Sequence, residues 1–229
     1  MQSDIADNLN AIRRLVSEAA LRVGRNPDEV KLVAVSKTHP ADVLRGAINA
    51  GAFVLGENKV QEAESKIAEL GRDAAEWHLI GHLQSNKARR AVQLFDVIQS
   101  VDSIELAQRL ERICTEESRD ELPVFVQVDL AGEGAKSGVP KTDLAALVDY
   151  LKTCKCLKLR GLMIVPPYDD NVENTRPFFK RLQEIRDDLL PGGELSMGMS
   201  HDFEVAIEEG ATVVRVGTAI FGQREIVHR

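Results

Sequence analysis

The feature that most constrains this chain is an alternation that repeats along its length. Short apolar runs, rich in valine and leucine, are followed by longer stretches with apolar residues at three- and four-residue spacing. The first pattern is that of a buried strand and the second that of an amphipathic helix. Strand-like runs occupy residues 32–35, 52–55, 77–80, 97–99, 124–128, 157–165, 195–197 and 212–216. Helical stretches lie at 41–50, from a turn at 56–59 to about 70, and at 87–94, 103–118, 143–151, 171–190 and 201–209. Strands joined by helical crossovers run parallel with right-handed connections. Eight such units are the number that closes into a barrel; an open doubly wound sheet is the other arrangement with this order. A further amphipathic helix precedes the first strand, with Ile5, Leu9, Ile12, Val16 and Ala19 on its apolar stripe and Gly24 placed to end it. No linker or break in composition divides the chain. Residues 1–229 therefore read as one α/β domain, a single (β/α)8 TIM barrel with an extra N-terminal helix.

Composition narrows the partners. The net charge of −7 argues against a nucleic-acid or anionic-membrane surface, while leaving room for a local basic pocket. No apolar run approaches the roughly 18 residues that span a bilayer. Residues 1–6 carry acidic side chains and no apolar core, so they do not read as an export signal. Cys114, Cys154 and Cys156 are an odd set, which fits a reducing cytoplasm. The pair Cys154 and Cys156 has no second pair to complete a metal site. An acidic surface without an evident apolar patch leans towards a monomer.

In a barrel, the loops after the strands' carboxyl ends share one mouth. This sequence supplies Lys37 after the first strand, Asn58 after the second, Lys136 after the fifth, Met199 and Ser200 after the seventh, and Arg215, Gly217 and Thr218 from the eighth. Lys37 has two readings. It is a solvated lysine at a strand end, or a partly desolvated amine able to condense with a carbonyl as a Schiff base. The segments Ser196-Met-Gly198-Met-Ser200 and Arg215-Val-Gly217-Thr218 each end a strand in small residues before a helix. Such turns present backbone amides to a phosphate, or are simple turns. Arg215 interrupts an apolar strand. It faces inward towards the mouth, where it can meet a ring nitrogen, or outward towards a helix carboxylate. An amine, a phosphate pocket and a ring-nitrogen partner together describe pyridoxal 5′-phosphate (PLP). His78 and His82 read as structural rather than as metal ligands.

Several stretches carry a resemblance. They are Val33-Ala-Val-Ser-Lys37, Gly56-Glu-Asn58-Lys-Val-Gln-Glu62, Trp77-His-Leu-Ile-Gly81-His-Leu-Gln84-Ser-Asn86-Lys87 and Ser100-Val-Asp-Ser103. Lys136-Ser-Gly138, Gly161-Leu-Met163, Ser196-Met-Gly-Met-Ser200-His-Asp202 and Arg215-Val-Gly217-Thr-Ala-Ile-Phe-Gly222 continue the series. Taken in order, they resemble the pyridoxal phosphate homeostasis protein family, nearly end to end. That family is similar to the barrel domain of alanine racemases. The resemblance implies a PLP-binding barrel without established catalysis, which holds PLP and delivers it to apo-enzymes. It implies Lys37 as the Schiff-base lysine, Ser200, Gly217 and Thr218 with amides of the Met199–Ser200 turn at the phosphate, and Arg215 at the pyridine nitrogen. Asn58 and Met199 would line the ring. The racemase pattern is departed from in three places. The second domain with its opposite-face tyrosine is expected to be absent, Lys136 stands where racemases carry an arginine, and Val165-Pro166-Pro167 stands where they carry a histidine. The competing expectations are a weak amino-acid racemase or other PLP enzyme, and an interaction protein that only senses PLP.

Overall fold

The computed structural model describes residues 2–132 and 137–222. Its elements follow the alternation. After α1 (Gln2–Arg22) come β1 (Lys31–Val35), α2 (Ala41–Asn49), β2 (Val54–Glu57), α3 (Val60–Leu70), β3 (Glu76–Leu79), α4 (Ala88–Leu94) and β4 (Val97–Val101). Then follow α5 (Ile104–Glu116), β5 (Leu122–Asp129), β6 (Val139–Pro140), α6 (Lys141–Thr153), β7 (Leu157–Met163), α7 (Arg176–Leu189), β8 (Glu194–Met199), α8 (Phe203–Glu208), β9 (Val213–Val216) and α9 (Thr218–Phe221). All strand pairings are parallel, and β4 pairs with β5 while β1 pairs with β9, so the sheet closes on itself. The barrel has eight strands, as expected. Among the described residues the two-residue β6 pairs with β5 alone and stands outside the ring.

Closure sorts the side chains by the two-residue period of a strand. Val33, Val97, Phe125, Met163 and Val213 form a cluster of their own, with Val54 against it, and fill the barrel interior. Their neighbours Ala34, Leu55, Ile98, Val124, Leu162 and Val214 belong to the larger core beneath the helices. Strands buried on both faces explain why the sequence shows apolar runs rather than a polar alternation.

Several boundaries shift from the expected ones, three of them for an identifiable local reason. The second strand is shifted to Val54–Glu57, because Gly56 is a packing residue and not a turn. A Cβ there would lie 2.8 Å from Val33 Cγ1, and Gly56 pairs with His78. The helix expected from residue 171 begins at Arg176 after a 3-10 turn, with Pro177 in its first turn, where the missing N–H costs nothing. The helix expected from residue 201 begins at Phe203, because Asp202 Oδ1 accepts the Met199 N–H at 2.7 Å and folds residues 199–202 into a turn. Ser103 caps α5, its Oγ accepting the Leu106 N–H at 3.2 Å.

The tightest sheet contact lies at Gly161 in β7, where a Cβ would fall 1.9 Å from the Glu194 carbonyl oxygen of β8. Backbone cannot yield as a flexible side chain does. Gly161→Ala is expected to lower stability to urea by at least about 2 kcal/mol. A change within about 0.5 kcal/mol, the range of an ordinary surface substitution, would contradict this strand pairing.

Candidate cofactor site at the barrel mouth

Lys37 sits two residues past the end of β1, half-buried, between fully buried Ser36 and exposed Thr38. Thr38 has φ +69°, a left-handed conformation that a β-branched residue rarely adopts. Asn58 follows β2 directly and is half-buried. Its backbone lies against Gly81 of the next loop, where a Cβ would come within 2.4 Å of the Asn58 carbonyl. The loops after β2 and β3 are thus packed together at one end.

Arg215 is on the inward row of β9, two residues after Val213 of the interior cluster, and is 3% exposed. Its Nη1 donates to Ser196 Oγ at 2.6 Å and its Nη2 to the Ile164 carbonyl at 2.8 Å. Among the described residues no carboxylate pairs with it. Burial pushes its pKa down to about 10, with the charge of Asp202 opposing, so it remains a cation at neutral pH. Ser196 Oγ in turn donates to Gln99 Oε1 at 2.6 Å, and Gln99 Nε2 donates to His78 Nδ1 at 2.7 Å. An amide nitrogen can only donate, so the His78 proton is on Nε2 and points to Glu76 Oε1 at 2.8 Å. That bond is the main cause that pulls the Glu76 carboxyl down to about 2. Burial opposes it, and Lys31 at 3.1 Å assists. The interior therefore holds one continuous polar chain from the guanidinium to the floor of the barrel.

The two small-residue loops do meet. Ser200 Oγ accepts the Gly217 N–H at 3.1 Å and the Ala219 N–H at 3.5 Å. An acceptor oxygen already stands where these amides converge, which is the geometry that a phosphate oxygen takes at such a turn. A Cβ on Gly217 would lie 3.1 Å from the Val35 carbonyl, so the close approach requires glycine or a small shift. One expectation is corrected. The Met199 N–H is not available to a phosphate, because Asp202 Oδ1 holds it. Thr218 opens α9, and Met199, half-buried, ends β8 opposite Arg215 in the register.

Around the rim, His39 stacks on Phe221 with centroids 5.0 Å apart, joining the Lys37 loop to α9. His82 Nδ1 pairs with Asp102 Oδ2 at 3.3 Å across the loops after β3 and β4. No metal-binding group of three or more ligands occurs among the described residues. Lys136 lies outside the described residues. Lys37, Arg215, Ser200, Gly217 and Thr218 all come from β1, β8, β9 and their loops, which are neighbours in the closed sheet. Asn58 comes from the other side of β1. The donor set fits PLP: an amine, a buried cation with N–H groups to spare for a ring nitrogen, and, for a phosphate, the Ser200 hydroxyl with the amides of Gly217 and Ala219 that now converge on it. Sequence reasoning passed over Gln99, Ser196, Glu57 and Lys66. The available signal was a polar residue on alternate positions of an apolar strand, as in Val97-Ile-Gln99.

Comparison with known proteins shows the family and the fold. The chain matches the family described as alanine racemase, N-terminal domain, over residues 5–225. The pyridoxal phosphate homeostasis protein of Aquifex aeolicus is 41% identical over 226 residues, covering 96% of this chain and 98% of that protein. The protein of the same name from Pseudomonas aeruginosa is 45% identical over 227 residues, 97% of each. PipY of Synechococcus elongatus PCC7942, solved with PLP bound, superposes with a TM-score of 0.82 at 42% identity, over 95% of this chain and 100% of that chain. A match along nearly the whole length, together with full-length relatives above 40% identity, places the chain in the alanine racemase N-terminal domain family, among its pyridoxal phosphate homeostasis proteins.

Proposed function

We propose that this chain binds PLP at the barrel mouth and serves PLP homeostasis, holding the cofactor on Lys37 and releasing it to apo-enzymes. The observation that carries the reading is the juxtaposition across the β1–β9 pairing. Val33 lies beside Arg215 in register, the turn that carries Lys37 follows β1 at the same end of the barrel, and Gly217 follows Arg215. When bound, PLP supplies an aldehyde that condenses with amines and an electron-withdrawing ring. In this reading Ser200, Gly217 and Thr218 bind the phosphate, and Asn58 and Met199 line the ring. Arg215 donates to the pyridine nitrogen. A fixed cation there disfavours protonation of that nitrogen and so weakens the ring as an electron sink. That property suits holding the cofactor better than driving transamination. The names of the relatives support the same reading. No helix among the described residues is long and apolar enough to cross a membrane. The three cysteines are unpaired, in keeping with a reducing cytoplasm, and the acidic surface is in keeping with a monomer.

The direct test is absorption spectroscopy of the protein with PLP, followed by borohydride reduction and peptide mass mapping. A phosphopyridoxyl mass on Lys37 is the expected result, and an unmodified, colourless protein would overturn the reading. Steady racemisation or other turnover of single L-amino acids, followed by chiral chromatography, would replace the carrier with an enzyme.

Two substitutions separate the parts of the site. Lys37→Ala is expected to abolish borohydride trapping and to retain measurable noncovalent PLP binding through the phosphate loops. Ser200→Ala is expected to weaken PLP up to about tenfold, the size of one or two hydrogen bonds, and to leave pyridoxal, which lacks the phosphate, nearly unchanged. Equal weakening of both ligands in titrations would remove Ser200 from the phosphate site.

A further inference from the structure

Beneath the Lys37 loop lies a buried ionic cluster that the cofactor reading does not use. Lys66 of α3 is 5% exposed, and each of its three N–H groups has an acceptor. They are the Ser36 carbonyl at 2.8 Å, Glu57 Oε1 at 2.6 Å and Glu62 Oε1 at 2.8 Å. Glu57 Oε1 also accepts the Ser36 hydroxyl at 2.6 Å, and Glu62 Oε1 accepts the Thr38 N–H. The two residues flanking Lys37 are therefore both bonded to this cluster, Ser36 at its carbonyl and hydroxyl and Thr38 at its amide.

The cluster is a poor device for stability alone. Buried ion pairs rarely outdo apolar packing of the same volume, because desolvation offsets their attraction. Glu57 is fully buried, its Oε2 has no hydrogen-bond partner among the described residues, and burial raises its pKa against the pull of Lys66. What the cluster does achieve is geometric. Thr38 is held at φ +69°, and strained backbone of this kind persists only where surrounding groups over-determine it. The Ser36 N–H is fixed as well, donating to the Gly56 carbonyl at 3.0 Å.

We propose that Lys66, Glu57 and Glu62 are positioning residues for Lys37: by clamping Ser36 and Thr38 they aim the lysine amine into the barrel mouth for attack on an aldehyde. This rests on the cofactor reading above. Attachment is a condensation in which Lys37 Nζ adds to the aldehyde carbon, a C=N bond forms, and water leaves with the aldehyde oxygen and both amine hydrogens. No oxidant or reductant is needed. A misdirected amine slows such a step far more than it weakens the binding of the rest of the ligand.

The test compares covalent and noncovalent binding of PLP. Glu62→Ala removes the Thr38 acceptor on a helix that tolerates alanine, and Glu62→Gln keeps an acceptor there. The double variant Glu57→Gln with Lys66→Met removes the buried charges together. Glu62→Ala and the double variant are expected to slow borohydride-trappable attachment to Lys37 about tenfold, with Glu62→Gln close to the parent. In the Lys37→Ala background, the same substitutions are expected to leave noncovalent PLP affinity within about twofold, since additivity holds for groups that do not touch the ligand. Should the double variant fail to fold, Glu62→Ala decides alone. An unchanged attachment rate would overturn the proposal. So would an equal loss of noncovalent affinity, which would make the cluster merely structural. Failure of the parent chain itself to bind PLP would overturn the cofactor reading first, before any clamp residue is changed.

Discussion

Arg215 is the residue the barrel interior has to accommodate. Taking a cation out of water costs several kcal/mol unless other dipoles and charges replace its hydration. No carboxylate touches it among the described residues. The answer is a series of neutral groups all oriented in one sense. Ser196 accepts from the guanidinium and donates to Gln99, Gln99 donates to His78, and His78 donates to Glu76. Hydrogen bonds in such a chain polarise one another, and the series ends on a true carboxylate. The interior is therefore layered. Val97, Phe125 and Val213 make an apolar plug, and two residues further along the same strands Gln99, Gln127 and Arg215 make a polar layer facing the mouth.

That layering decides what the mouth can hold. A guanidinium already paired to a carboxylate would offer a ligand little net charge. Arg215 is instead restrained by a hydroxyl and a backbone carbonyl, so its positive field is directed outwards. The field meets the amides gathered at Ser200 on one side and the Lys37 loop on the other. Electron-withdrawing chemistry on a ring needs a protonated ring nitrogen, and an arginine opposes that protonation. In the proposed reading, the residue that would meet the ring nitrogen thus also limits what the ring can do there.

Much of this was legible in the sequence because it depends on local patterns. The apolar runs fixed the strand count, and Val33-Ala-Val-Ser-Lys37 announced a lysine at a strand's carboxyl end. The face of Arg215 was not legible. Inward and outward residues of a doubly buried strand have the same composition, and only closure of the ring reveals which is which. Gln99 and Ser196 escaped for the same reason: their partners come from distant strands. Glu57 read as part of a turn, whereas Gly56 beside it is a strand residue that lets Val33 approach. Lys66 and Glu62 stand four residues apart on a helix, a spacing that by itself points to no more than a surface pair. Their burial comes from the Ser36 carbonyl, which no local pattern locates. The helix expected at residue 201 started late because the Asp202 side chain captures the Met199 amide, and propensity carries no record of such a turn.

The extra N-terminal helix acquires a purpose in this arrangement. The Lys37 loop and the strand of Arg215 are neighbours because β1 pairs with β9, the seam at which the chain's first and last strands meet. A barrel is weakest where closure is not enforced by a short connection, and no βα unit joins these two strands. Helix α1 lies across that seam. Asn8 donates to the Ile220 carbonyl of α9, and Arg22 pairs with Glu204 and Glu208 of α8. On the other side Arg13 donates to the Gly51 carbonyl after α2. The exposed ion pairs contribute little each. The larger share comes from Leu9, Ile12, Val16 and Ala19, which are almost fully buried against the core. A helix outside the eightfold repeat thereby holds together the two strands whose contact creates the site.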